Sequence, residues 1–192
     1  AMVQRLLAAP VFGGRVAPAA RVEFTMCDVY APTHWAIRGE PPAYDTPDED
    51  VYLTGRNLVL LTKAGVVAAR AGARRIALGP LAGNPFPDAR PAFFAAMAQA
   101  LSLGLDQPIE VVTPFVTWKK DRVIRRGAEL GVPFELTLSC MRPGQGKAGS
   151  GVQGFRGSGV HCGLCSKCRE RRDAFADAGV TDPTAYANRS PR

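Results

Sequence analysis

His161-Cys162-Gly163-Leu164-Cys165-Ser166-Lys167-Cys168-Arg169 carries three cysteines spaced Cys-x2-Cys-x2-Cys, and Cys140 precedes them. A Cys-x2-Cys pair turns the backbone so that two thiolates face one point. A third cysteine three residues on can join them, and Cys140 supplies a fourth corner. Four thiolates about one point meet the tetrahedral demand of zinc and leave no position open for water. The expected role of the metal is therefore structural, its binding free energy contributing directly to folding.

Other readings of these cysteines stand beside it. Disulfides need an oxidising compartment, and nothing in the sequence points to one. An iron–sulfur cluster also takes closely spaced cysteines, but the ferredoxin run continues with x3-Cys-Pro. Here Arg169-Glu170-Arg171 follows the third cysteine. Isolated core cysteines would not cluster in this way. His161 adjoins Cys162 and could replace one ligand, although it reads more simply as a bystander. Cys27 lies apart and reads as a strand residue in the core.

Outward from the cysteines, the 192 residues suffice for one domain with a real core. A hydrophobic content of 46% and a charged content of 21% are those of a globular protein. Lys, Arg, Pro and Gly interrupt every apolar run before it could span a membrane. The first ten residues contain Gln4 and Arg5 and do not read as a signal peptide. A cytoplasmic location is expected. The net charge of +7 and pI near 9.5 favour anionic partners such as nucleotides, acidic metabolites or nucleic acid. No stripe of basic residues interleaved with aromatics appears, so nucleic acid ranks second to small anions.

The periodicity predicts alternating strands and helices. Met2 to Ala9 has a helical look. Val22 to Cys27 alternates apolar and polar residues and predicts a strand. Asp28 to Asp50, with Pro32, Pro41, Pro42 and Pro47, predicts a long loop of the kind that is functional or mobile. After Gly55-Arg56-Asn57, the positions Leu58, Leu61, Ala64 and Ala68 recur at helical spacing, and Gly72 supplies a stop. Arg75 to Gly79 predicts a short strand. Pro91 opens a helix whose apolar face is Phe94, Met97 and Leu101. Ile109 to Thr113 predicts a further strand. Thr117 could cap a helix through Leu130, with Val123, Ile124 and Leu130 inward and Gly131 ending it. A last helix is expected from about Cys168 to Ala178. Strand–helix alternation of this kind predicts an α/β fold, a parallel sheet wrapped by helices. Its ligands would bind beyond the C-terminal strand ends. Met141 to Gly159 holds seven glycines in nineteen residues and reads as a flexible insertion.

Three blocks in this order resemble the 7-cyano-7-deazaguanine synthase family, a branch of the N-type ATP pyrophosphatases in the PP-loop superfamily. The first is Gly55-Arg56-Asn57 opening an apolar helix. The second is Phe86-Pro87-Asp88-Ala89-Arg90-Pro91-Ala92-Phe93, similar to the family's aromatic-Pro-Asp-Cys-Arg-Pro-x-Phe loop. The third runs from Pro114 to Pro133 and includes Lys120, Val123, Ile124 and Leu130-Gly131-Val132-Pro133. Thr137-Leu138-Ser139-Cys140 and the cysteine triplet complete it. The resemblance covers roughly Arg21 to Pro183 and rests on the combination of blocks.

It implies a Rossmann-like sheet of the adenine nucleotide alpha hydrolase type, with a C-terminal four-Cys zinc knuckle at Cys140, Cys162, Cys165 and Cys168. It also implies an ATP-dependent ligase of queuosine biosynthesis, converting 7-carboxy-7-deazaguanine and ammonia to the nitrile with ATP and Mg2+. Lys120 would contact phosphate, helped by the N-terminus of its helix. Arg56 and Asn57 would meet phosphate or the base edge; a polar loop and a cap are the plain alternative. Asp88 and Arg90 would contact the purine-like ring; a loop salt bridge is the plain alternative. Trp118 could stack on a base or fill the core.

The departures matter as much. The family's Ser-Gly-Gly-x-Asp-Ser phosphate loop has no counterpart here, and Phe12-Gly13-Gly14-Arg15 lacks its serines and acid. By position, the chain begins after the family's first strand, loop and helix. Asn84 lies nearest the place of a family Asp, and Ala89 replaces the Cys before Arg90. Twenty-one residues separate Cys140 from Cys162, where the family has a short gap. The expected organisation is one domain over 1–192: an α/β nucleotide-binding-type core at 1–139, then the knuckle and last helix at 140–183. Without the phosphate loop, the chain alone would be inactive. The competing expectation is a degenerate, non-catalytic relative that keeps the zinc knuckle and a purine-like pocket. A basic nucleic-acid-binding module rests on charge alone. An open sheet edge leads us to expect a homodimer.

Overall fold

The computed structural model describes residues 2–143 and 160–188. The glycine-rich insertion expected at Met141 to Gly159 falls almost wholly outside the described residues. The chain divides into two compact units, residues 52–123 and residues 1–51 with 124–192.

Residues 1–51 contribute two short helices, α1 (Met2–Leu7) and α2 (Trp35–Arg38), and a 3-10 turn at Asp48–Val51. The strand expected at Val22 to Cys27 does not form. Alternation makes a strand only where one face is covered. Here Val22 and Phe24 stay exposed, and Arg21 pairs with Glu23 at the surface. The Thr25 hydroxyl accepts from the Cys27 N–H and turns the chain instead. Cys27 is exposed, not a core residue.

The 52–123 unit holds α3 (Arg56–Arg70), β1 (Arg75–Ala77), α4 (Pro91–Gly104) and β2 (Glu110–Val112). β1 and β2 run parallel, with Arg75 opposite Glu110, Ile76 opposite Val111 and Ala77 opposite Val112. Parallel strands need a crossover, and α4 supplies it. Helices flank the sheet, as the alternation predicts, with two strands among the described residues. Leu61, Ala68, Phe94, Leu101 and Ile109 form the core, with Ile76, Leu78, Met97 and Val111 against it.

The buried face of α3 differs from the expected one. Asn57, Leu61, Gly65 and Ala68 point inward, while Leu58 is 48% exposed. The cause is Asn57, which is drawn inside by hydrogen bonds to Asp88. Gly65 is required by close approach: a Cβ there would sit 2.6 Å from a Leu101 methyl. α3 and α4 therefore pack nearly backbone to side chain at this point.

α5 (Lys120–Glu129) starts three residues after the expected cap, Thr117. The Trp118 N–H bonds the Phe115 carbonyl at 2.8 Å, closing a turn where the cap was expected. Leu130, expected inward, lies past the helix end and is exposed. In the other unit, a 3-10 turn at Phe134–Leu136 precedes the extended Thr137–Cys140 stretch, and α6 (Ser166–Ala178) follows the cysteine loop. Phe134 meets Phe175 edge to face at 5.0 Å, fixing α6 against the 3-10 turn. Gly179, left-handed at φ 67°, ends α6 as expected. Among the described residues no helix is long and apolar enough to cross a membrane.

Candidate functional site

Four sulfurs converge. The Sγ atoms of Cys140, Cys162, Cys165 and Cys168 all lie within 4.8 Å of one another, and all four residues are buried. Cys162 and Cys168 Sγ are 3.9 Å apart, and Cys165 and Cys168 Sγ 3.6 Å. A tetrahedron with zinc–sulfur bonds of about 2.3 Å has edges of roughly 3.8 Å. A disulfide would need about 2.05 Å, and all four cysteines are free thiols. The group can therefore hold one metal ion such as zinc, and its soft, all-sulfur donor set suits that ion.

Local structure explains the convergence. Cys140 ends the extended stretch after the Phe134–Leu136 turn. Cys165 caps α6 in an extended conformation, and Cys168 lies within the first turn of that helix. Backbone N–H groups point at the sulfurs. Cys162 and Arg142 each donate to Cys140 Sγ at 3.2 Å, and Leu164 donates to Cys162 Sγ at 3.4 Å. Such donors favour thiolate over thiol. Gly163 adopts φ 78°, and a Cβ there would collide with the Asn188 carbonyl. Only glycine lets the 185–188 segment close over the loop.

The crowded thiols do not titrate alike. Hydrogen bonding, first of all with Cys140, holds Cys162 far below the ordinary thiol range and lowers Cys165 to about 6. The same contacts push Cys140 and Cys168 up, led by Cys162 for the former and Cys140 for the latter. A divalent cation at the centre favours thiolate at every corner and removes that conflict.

His161 stands outside the four-sulfur group. Its Nε2 accepts from the Ser139 N–H at 3.1 Å, and its backbone pairs with Ala185 and Ala187. It thus fixes the stretch that delivers Cys140. Burial, together with donation to Asp182 at 2.7 Å, pushes the Tyr186 phenol up; its ring packs against the cysteines and His161.

One buried residue escaped the sequence reading. Arg171 is 4% exposed. It donates to the Thr184 hydroxyl at 2.6 Å, the Thr137 hydroxyl at 2.9 Å, the Phe134 carbonyl at 3.0 Å and the Ser139 hydroxyl at 3.3 Å. One guanidinium therefore gathers the arm leading to Cys140 and the segment after α6. Its position three residues after Cys168, on one helical face, is the signal that could have found it.

In the 52–123 unit, two of the expected site residues meet. Asn57 N donates to Asp88 Oδ2 at 3.0 Å, and Asn57 Nδ2 donates to the Asp88 carbonyl at 2.8 Å. Both residues are buried. The carboxylate thus sits on the N-terminus of α3, where negative charge is favoured. Tyr52 stacks on Phe86 at 4.8 Å, which further fixes the Phe86–Arg90 turn. Arg56 and Arg90 are exposed beside this pair in sequence, and Lys120 is half-buried at the first residue of α5. Trp118 is half-buried, with Phe115 at 5.4 Å and the Arg122 guanidinium 4.0 Å above its ring.

Comparison with known proteins agrees with this architecture. The family model described as "Queuosine biosynthesis protein QueC" matches residues 40–179. A 7-cyano-7-deazaguanine synthase of Nostoc punctiforme is 37% identical over 143 residues, 71% of this chain and 58% of the relative. The proteins of that name from Caldicellulosiruptor bescii and Methanothrix thermoacetophila are 38% and 36% identical, over 76% and 78% of this chain. The chain spans 66% and 63% of their lengths, so a third or more of each lies outside the match. A four-sulfur group able to hold a metal, a helix-flanked parallel sheet and a match over most of the length lead to one conclusion: the chain belongs to the QueC family of queuosine biosynthesis proteins.

Proposed function

We propose that this chain serves an ATP-dependent nitrile-forming ligase, converting 7-carboxy-7-deazaguanine and ammonia to 7-cyano-7-deazaguanine. The match over residues 40–179 carries the reading. The chemistry has a plain logic. A carboxylate lacks a leaving group, and transfer of AMP to its oxygen, with loss of pyrophosphate, provides one. Ammonia displaces AMP and leaves the amide. A second adenylation on the amide oxygen, with loss of pyrophosphate, followed by loss of AMP and of both N–H protons, gives the nitrile. The protein's task is to hold ATP, Mg2+ and substrate in line and to neutralise departing phosphate.

In this reading Lys120 contacts phosphate at the α5 N-terminus, and the exposed Arg56 and Arg90 meet the anionic or heterocyclic parts of the ligands. Asn57 and Asp88 contribute from beneath, since their mutual bonds hold both loops. Zinc at the four cysteines is structural. The division into a core at 1–139 and a knuckle at 140–183 belongs to the same reading. So do a cytoplasmic location and a homodimer formed through the open edges of the β1–β2 sheet.

The sequence contains no Ser-Gly-Gly-x-Asp-Ser loop. Release of AMP from Mg-ATP with 7-carboxy-7-deazaguanine and ammonia is therefore expected only when a polypeptide bearing that loop is joined or added. Turnover by these 192 residues alone would contradict this assignment of roles. A second reading, a non-catalytic purine-binding relative, is favoured by the burial of Asp88 against Asn57. Binding of the deazapurine without AMP release, even with the loop supplied, would establish it over the first.

A further inference from the structure

Side chains from the first two turns of α6 reach back to one short segment more than a hundred residues earlier. Lys167 Nζ donates to Asp48 Oδ1 at 2.8 Å, while also bonding Glu170 Oε2 at 2.7 Å. Arg169 Nη2 donates to the Thr46 carbonyl at 3.2 Å, and its Nη1 lies 3.9 Å from Asp45. The Arg172 guanidinium lies 5.9 Å from the Tyr44 ring and 4.1 Å from the Tyr186 ring. The backbone adds another tie, an antiparallel bridge between Ala43 and Cys165. Every tie thus starts on a cysteine of the four-sulfur group or within four residues of one.

The held segment has little of its own to keep it ordered. Pro47 interrupts it, and among residues 43–51 only Val51 is buried. Its local backbone bonds, Thr46 to Ala43 and Asp50 to Pro47, are long at 3.3 Å. A segment with so few internal contacts belongs to the least stable part of a fold and takes its order from what it docks on. The docking surface here is the α6 N-terminus, where a metal held at the four sulfurs would fix the positions of Cys165 and Cys168.

We propose that Lys167 and Arg169 are positioning residues that tie residues 43–51 to the metal knuckle, so that metal occupancy and the order of this segment form one equilibrium. The proposal goes beyond the ligase reading and requires only the metal centre. Ion-pair geometry and the Ala43–Cys165 bridge carry it jointly. Lys167 is the stronger tie, because its pair closes at 2.8 Å and is partly covered, whereas Arg169 lies 3.9 Å from an Asp45 that is 87% exposed, and exposed pairs contribute little.

Amide hydrogen exchange on the zinc-loaded full chain tests it, comparing wild type with Lys167→Met, Lys167→Arg and Asp48→Asn. The Lys167→Met and Asp48→Asn changes are expected to speed exchange in residues 43–51 about fivefold. Zinc content and exchange at residues 161–168 stay at wild-type values. Lys167→Arg, which keeps the pair, retains protection. Removing zinc with a strong chelator frees 43–51 and 161–168 together. Unchanged exchange at 43–51 in both Lys167→Met and Asp48→Asn overturns the proposal. Protection of 43–51 that persists after zinc has left overturns it as well. Asp48 lies outside the knuckle, so Asp48→Asn gives an answer even where changes at Lys167 disturb the metal. None of these readouts involves ATP or the deazapurine, so failure of the ligase reading leaves them intact.

Discussion

The Arg171 guanidinium lies 2.9 Å from the Thr137 hydroxyl, joining α6 to the stretch that carries Cys140. The two residues are 34 apart in sequence, and the same side chain also holds Thr184 and the Phe134 carbonyl. A single buried cation thereby links the stretch that carries Cys140 to the helix that Cys165 caps and that contains Cys168.

Arg171→Met should destabilise the protein by roughly 2–4 kcal/mol, because several half-buried acceptors lose their buried donor together. Arg171→Lys should recover only part of this loss, since an ammonium cannot span the same fork of partners. Thermal unfolding of the two variants checks the order. Equal stability of Arg171→Met and wild type would refute the clasp.

Asn57 and Asp88 should behave as one unit. Asp88→Ala deprives the Asn57 N–H of its carboxylate acceptor, loosening the contact that the Asn57 side chain makes with the Asp88 carbonyl, and should cost about 1–3 kcal/mol. Asn57→Ala should cost a similar amount. In a double-mutant cycle the two losses should fall short of adding, with a coupling of about 1 kcal/mol. Strict additivity would mean that the two residues contribute independently.

How far the sequence could be read depends on the distance over which each feature is decided. The cysteine spacing is local, and it placed Cys162, Cys165 and Cys168 correctly about one point. Phe94, Met97 and Leu101 on α4 were legible because helical periodicity alone selects that face. The face of α3 was not, since Asn57 turns inward only because Asp88, 31 residues away, accepts its hydrogen bonds. The pattern at Val22 to Cys27 looked like a strand because alternation does not report whether any neighbour covers the apolar side. Arg171 was hidden in a run of charges, Arg169 to Arg172, where composition suggests solvent. Its burial follows from Thr137 and Thr184, which periodicity does not reveal.

Acid should release the metal. Ligation requires thiolates, so a bound ion depresses the folded-state pKa of its cysteines below their unfolded value of about 8.5. Stability from that source is fully present above the unfolded pKa and is lost as pH falls through the bound-state values. A pH titration followed with a chromogenic zinc indicator should therefore show release on the acid side, accompanied by faster exchange at residues 161–168. Release on the alkaline side, or none in acid, would contradict thiolate ligation.

Cys140→Ser, Cys162→Ser, Cys165→Ser and Cys168→Ser provide the control for the most direct measurement, elemental analysis of purified, folded protein. Four sulfurs within 4.8 Å predict close to one zinc per wild-type chain, falling sharply in each variant. Iron in place of zinc, or well-folded protein with no bound metal, would contradict the account.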